Sequence, residues 1–152
     1  MSDIVLRAAL IDDLAEASAL CLRSKAHWGY AAEFIEACRD ELTLDPQQLA
    51  QSTVVVGRCG GRMVGIAQIS CDGTQAELDK LFIEPDWIGQ GAGRVLFNWA
   101  RETARARGAA RLVVTADPFA ARFYETMGCT WFGQEPSGSI PGRMLGAYRM
   151  EL

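Results

Sequence analysis

Five residues in a row, Gly89-Gln90-Gly91-Ala92-Gly93, followed by Arg94, form the stretch of this 152-residue chain best suited to hold a charged ligand. Glycines let the backbone turn tightly and bring its N–H groups to one side. Val95, Leu96, Trp99, Ala100 and Thr103 then recur at helical spacing. A helix that opens at the turn adds the partial positive charge of its N-terminus, so turn and helix together suit a phosphate or pyrophosphate. Two familiar phosphate loops do not fit. A P-loop ends in Gly-Lys-Ser/Thr, where this chain has Gly93-Arg94-Val95. The dinucleotide fingerprint, read from Gly89, puts Arg94 where its last glycine belongs. Arg94, Arg101 and Arg105 share one helix face, and Arg94 is the one in the first turn.

A second set of residues could move protons. Glu77 and Asp79 lie two apart in a strand-like segment, so period-two alternation puts both carboxylates on one face. Like charges at that spacing raise one another's pKa and attract a cationic amine. His27, the sole histidine, could act as a base near neutral pH. It sits in Lys25-Ala26-His27-Trp28-Gly29-Tyr30, where Trp28 and Tyr30 are costly to leave exposed and must pack against something. Aromatic faces beside carboxylates suit a cationic amine. Without such a role, the carboxylates are a solvated strand face, His27 is a wall or surface group, and the rings anchor the following helix.

The elements that position these groups can be read in order. Ile4 to Arg7 is a strand, and Leu14 to about Ser24 a helix. A second helix carries Phe34, Ile35 and Cys38 and ends near Leu42; Asp45-Pro46 starts a short turn of helix. Thr53 to Val56, Met63 to Ser70 and Gln75 to Ile83 are strands separated by Gly60-Gly61 and Asp72-Gly73, an antiparallel meander. The third strand alternates through Ala76, Leu78 and Lys80. After the glycine turn, a helix runs to Gly108 and a strand covers Arg111 to Thr115. Asp117-Pro118 opens another helix that ends at Gly128, and two last strands flank Pro136 to Gly142. Strand, helix, strand in that order is a parallel, right-handed crossover, so the sheet is mixed.

The stretch from Ile88 to Gly93 resembles the acetyl-CoA pyrophosphate loop of the GNAT superfamily, Arg/Gln-x-x-Gly-x-Gly/Ala. Gly91 and Gly93 fill its small positions, and Ile88 stands where the family has Arg or Gln. Thr115 to Gly128, with Ala120 and Phe123-Tyr124, resembles the family's Asn-x-x-Ala-x-x-Phe-Tyr-x-x-x-Gly-Phe segment; Asp117 replaces the Asn and Cys129 the Phe. The resemblance implies an α/β (α+β) fold over residues 1–152 as a single domain. Its sheet would be mixed but mostly antiparallel, of about seven strands, with the parallel crossover at its centre and helices on both faces. It implies acetyl-CoA as co-substrate, held by Leu81, Phe82, Ile83, the Gly89–Arg94 turn, Asp117, Phe123 and Tyr124. Tyr124 matches the tyrosine that protonates the departing thiolate, and Glu77 lies where some members place a catalytic glutamate, with Asp79 beside it. The acceptor would be a small-molecule or peptide amine, met by His27, Trp28 and Tyr30. A non-catalytic acyl-CoA sensor is the alternative on the same fold.

Composition narrows the field further. A net charge of -4 argues against a nucleic-acid partner. Five cysteines (Cys21, Cys38, Cys59, Cys71, Cys129) with no CxxC pair and one histidine imply no metal and reduced, mostly buried thiols. No basic n-region precedes an apolar run and no stretch approaches about 18 apolar residues, so a cytoplasmic protein without a membrane partner is expected. The C-terminal strands are the surface expected to pair if the chain forms a homodimer.

Overall fold

A computed structural model describes residues 3–152. The strands are β1 (Val5–Ala8), β2 (Thr53–Cys59), β3 (Arg62–Asp72), β4 (Gln75–Ile83), β5 (Arg111–Ala116), β6 (Thr130–Pro136) and β7 (Met144–Glu151). They form one sheet in the order β1-β2-β3-β4-β5-β7-β6. Every neighbouring pair is antiparallel except β4 and β5. The helices are α1 (Leu14–Ala26), α2 (Ala32–Leu42), α3 (Pro46–Gln51), α4 (Ala92–Ala106) and α5 (Ala121–Thr126). The mixed, mostly antiparallel sheet with one parallel pair and helices on both faces matches the expected architecture. Among the described residues, no helix is long and apolar enough to cross a membrane.

β3 lies near the middle of the sheet and is buried without interruption from Met63 to Ile69. A strand covered on both faces must be apolar at odd and even positions alike. Its alternate residues feed two cores. Ala67 and Ile69 join Leu78, Leu96, Phe97, Leu112 and Tyr124 beneath α4 and α5. Met63 and Ile66 join Leu20, Cys21, Cys38, Val54 and Val56 beneath α1 and α2. Phe97, Leu20, Ile66 and Leu96 are fully buried, each stabilising the fold by roughly 1.5–3 kcal/mol.

Two departures from regular pairing shape the centre of the sheet. The parallel ladder between β4 and β5 spans three pairs, ending at Glu77↔Val113. Beyond it β4 stays with β3 as far as Ile83, while β5 stays with β7 as far as Ala116. The sheet therefore opens like a V between β4 and β5, leaving that edge of β4 without a strand partner. The second departure is a bulge. β3 pairs Ile69 with Leu78 but Gln68 with Lys80, so Asp79 is an extra residue on β4. The alternation through Ala76, Leu78 and Lys80 is thereby broken. Leu78 enters the core under α4 and α5, while Lys80 turns to the opposite face beside Gln68.

α1 also runs past Ser24 to Ala26, with His27 as its C-cap. The polar-aromatic segment is thus half helix, and the connection to α2 is correspondingly short.

Candidate functional site

The V between β4 and β5 opens into a cavity of about 500 Å³. Its outer end is the glycine turn. Gly89 and Gly91 have φ of 82° and 92°, a region that L side chains rarely adopt. Gly91 is the N-cap of α4 and has no side chain to cap with. The first intrahelical bond is from Val95 N–H to the Gly91 carbonyl, 3.2 Å, so the N–H groups of Ala92, Gly93 and Arg94 precede it and await an outside acceptor. A Cβ at Gly91 would meet no protein atom, whereas one at Gly93 would press on the Phe123 ring at 3.1 Å. The two glycines therefore do different things. Gly91 supplies the turn and keeps its space empty, and Gly93 lets α4 lie against α5. Gly89, Gly91, Gly93 and Arg94 line the cavity. Gln90 does not; its side chain donates to the Asp86 carbonyl at 2.8 Å. Ala92 is buried in the protein. An open cradle of unpaired N–H groups fits a pyrophosphate.

Leu81, Phe82, Ile83, Phe123 and Tyr124 form the cavity's middle. Tyr124 is buried, and burial drives its hydroxyl pKa well above the usual tyrosine value. It keeps its proton at any physiological pH and faces the cavity as a donor.

At the inner end stands Asp79. Burial pushes its carboxyl up to about 6; the Glu77 charge adds to this, while the Ser70 hydroxyl and Lys80 oppose it. Asp79 lines this cavity and also a second one, of about 840 Å³. Glu77 lines the second and not the first. The structure thus brings Asp79 to the junction and leaves Glu77 one step back. The bulge is the cause, because it takes Asp79 out of the regular ladder.

The side chains expected to meet an acceptor separate. Trp28 lines the first cavity and stacks on Phe119, centroids 5.2 Å apart. His27 is exposed and lines neither cavity; its ring meets the edge of Trp28. Tyr30 is also off the cavity wall. Its ring stacks on Phe34 at 4.1 Å, and its hydroxyl donates to Asp117 Oδ2 at 2.9 Å and accepts from Arg143 at 2.8 Å. Tyr30 is the centre of a clamp. Lys25 Nζ lies 2.6 Å from the same Asp117 oxygen and Arg143 3.5 Å from it, while Asp117 Oδ1 accepts from Phe119 N–H. Burial alone would raise the Asp117 carboxyl, but Lys25, the Phe119 amide and Tyr30 outweigh it and hold it below the usual range. Burial and Asp117 together push Tyr30 up to about 12. Arg143 also lies 4.9 Å from the Phe34 ring centroid. Asp117 was expected to meet the co-substrate; it lines the cavity with both oxygens already bonded inside the protein.

Sequence reasoning named Lys25 only as part of the polar-aromatic segment and gave no role of their own to Lys80, Arg143, Phe119 or the bond from Ser139 to Glu41 that joins the β6–β7 loop to α2. Lys80 left one trace, a place in the alternation read for β4. The others meet only by folding. Among the described residues, no group of three His, Cys, Asp or Glu side chains could hold a metal ion.

Comparison with known proteins agrees with this geometry. A family model for an acetyltransferase (GNAT) domain matches residues 17–137. A GCN5-related N-acetyltransferase from Rhodopseudomonas palustris superposes with a TM-score of 0.85 at 27% identity, covering 100% of this chain and 98% of its own. The PaiA N-acetyltransferase of Thermoplasma acidophilum, solved with coenzyme A, gives 0.80 at 15% identity, with 99% of each chain covered. The ribosomal-protein-S18-alanine N-acetyltransferase of Escherichia coli gives 0.71 at 18% identity, covering 99% of this chain and 93% of its own. The last two likenesses speak for the fold. No curated protein matches the sequence significantly.

Proposed function

The chain belongs to the GNAT acetyltransferase family, and from that premise we propose that it moves an acetyl group from acetyl-CoA to an amine by direct attack on the thioester. One observation carries the reading: a single cavity runs from the Gly91 cradle to Tyr124 and Asp79 through the gap where β4 and β5 part. The pyrophosphate would lie on the first-turn amides of α4, with Arg94 beside it. The unpaired edge of β4 around Leu81 to Ile83 would hold the pantetheine arm and the thioester carbonyl. An alkylammonium has a pKa of about 10.4, so the acceptor must lose a proton before it attacks. Asp79 would take that proton, directly or through water, with Glu77 keeping the approach negative. The amine nitrogen bonds to the carbonyl carbon, the carbon–sulfur bond breaks, and Tyr124 gives its proton to the thiolate. The Tyr30–Asp117 clamp would hold the roof of the cavity rather than touch the reacting atoms.

Thiol release from acetyl-CoA with a panel of amines tests this. Release that depends on an amine is expected. CoA binding with no release for any amine would leave a sensor on the same fold.

A further inference from the structure

We propose that the acceptor carries a carboxylate next to its amine, as an amino acid does, and that Lys80 receives that carboxylate; the inference rests on the acetyl-transfer reading above. The chain has fifteen Lys and Arg residues, of which the sequence shows two lysines, Lys25 and Lys80. Both line the first cavity. Lys25 has its counter-ion, Asp117, at 2.6 Å. Lys80 is 8% exposed, yet among the described residues no carboxylate stands at ion-pair distance from it. Its Nζ donates to a neutral group, Gln68 Oε1, at 3.0 Å. That amide is itself aimed: Gln68 Nε2 donates to Ser52 Oγ at 2.9 Å, and Ser52 Oγ to the Gln48 carbonyl at 2.5 Å. An ammonium has three donors, and one is used. Burying a charge is costly unless it is paired. A buried ammonium with spare donors on the wall of two cavities is a seat for an anion.

The surroundings select the anion. The phosphate cradle at Gly91 and Arg94 lines the first cavity and not the second, so Lys80 sits away from it, at the junction. The second cavity is walled by Glu41, Glu77, Asp79 and Glu135, and its other cation, Arg111, is held by Glu151 at 2.9 Å. A doubly charged phosphate would be repelled by four carboxylates. A zwitterion would not: its ammonium meets Asp79 and Glu77 while its carboxylate meets Lys80. Asp79 and Lys80 are neighbours in the chain and both line the junction of the two cavities, so a ligand carrying an ammonium and a carboxylate on one carbon can meet both. A simple alkylamine would leave Lys80 unpaired, and a polyamine would add a second cation against it.

The test uses matched acceptors: L-lysine with cadaverine, L-phenylalanine with phenethylamine, and L-methionine with 3-(methylthio)propylamine. In any pair that releases thiol, the carboxylated member should have a kcat/KM higher by about tenfold or more, and Lys80→Met should shrink that ratio toward one. A CoA-induced rise in Tm shows that the variant is folded. Should Lys80→Met not fold, the wild-type ratio decides alone. Equal values, or faster turnover of the decarboxylated amines, would overturn the proposal and leave acetyl transfer standing. If no acceptor releases thiol, the transfer reading fails, and binding decides this one. With CoA present, the amino acids should raise the wild-type Tm more than their decarboxylated partners do; equal shifts overturn it.

Discussion

The two ends of the cavity are built from different materials. The end proposed for the phosphate is mostly backbone: two glycines with positive φ, the bare first turn of α4, and one arginine, all within residues 89–94. The end proposed for the acceptor is side chain: Lys25 from α1, Asp117 after β5, Arg143 before β7, and Asp79 and Lys80 from the β4 bulge, with Tyr30 bracing Asp117 and Arg143 from behind the wall. A backbone cradle depends on conformation and tolerates neighbouring substitution. A side-chain clamp depends on each partner, and losing one leaves a charge behind. The phosphate end should therefore fail abruptly and the acceptor end by degrees.

The largest effect is expected at Gly91. Gly91→Val forces a β-branched residue to a φ of 92° and fills the space left for phosphate. CoA affinity should fall by about a hundredfold or more while the variant stays folded. Calorimetry that finds wild-type affinity in a folded Gly91→Val protein would break the comparison at its first term.

Asp79→Asn comes next, with acceptor kcat/KM lower by about a hundredfold. Wild-type activity should climb as pH rises through about 6, as the carboxylate forms, and the variant should lack that limb. Stability follows the opposite sense. The folded pKa is raised above 3.8, so ionised Asp79 opposes folding. That opposition is absent below about 3.8 and grows until pH passes about 6. The Asn variant should melt no lower than wild type at pH 8. A pH–rate profile unchanged in Asp79→Asn would move the base elsewhere.

Tyr124→Phe sharpens the boundary between the ends. It should slow kcat by about tenfold and leave CoA affinity nearly intact, because on the proposed reading β4 would hold the arm and α4 the phosphate. An unchanged kcat would make Tyr124 a packing residue.

Asp117→Asn should have the smallest effect on rate and a clear one on stability. It strands Lys25 and Arg143, at a cost of about 1–3 kcal/mol. Acceptor KM should rise a few-fold, with CoA affinity less affected. The Asp117 pKa is held below its usual 3.8, so its contribution is complete above that value and fades as pH falls through the folded pKa. Thermal melts of the two proteins should converge in acid. Melts that stay equally separated at pH 7 and in strong acid would deny the ion pair its role.

The elements were legible because they rest on local signals. The β2–β4 meander is marked by β-branched runs and glycine turns, and the Asp117-Pro118 cap marks the start of a short 3-10 turn, Pro118–Ala120, that leads into α5. The sequence pattern ends α1 two residues early, because Lys25 and Ala26 extend the helix without adding to its apolar period. The Gly89–Arg94 turn was legible for the same reason as the meander: a backbone site is written in consecutive residues. What could not be read was contact between distant segments. Nothing at Asp117 announces that Lys25 and Arg143 converge on it, since sequence separations of 92 and 26 leave no periodic trace.

By itself, then, the order of residues determined the strand–turn–helix unit, the glycine turn that opens α4 and the presence of two carboxylates on β4. These follow from φ preferences, hydrophobic period and spacing, which act over a few residues. Tertiary structure alone decided which carboxylate reaches the junction and where Lys80 points. A β-bulge arises from the register between β3 and β4, a relation between two strands, and one extra residue there sends Leu78 and Lys80 to opposite faces.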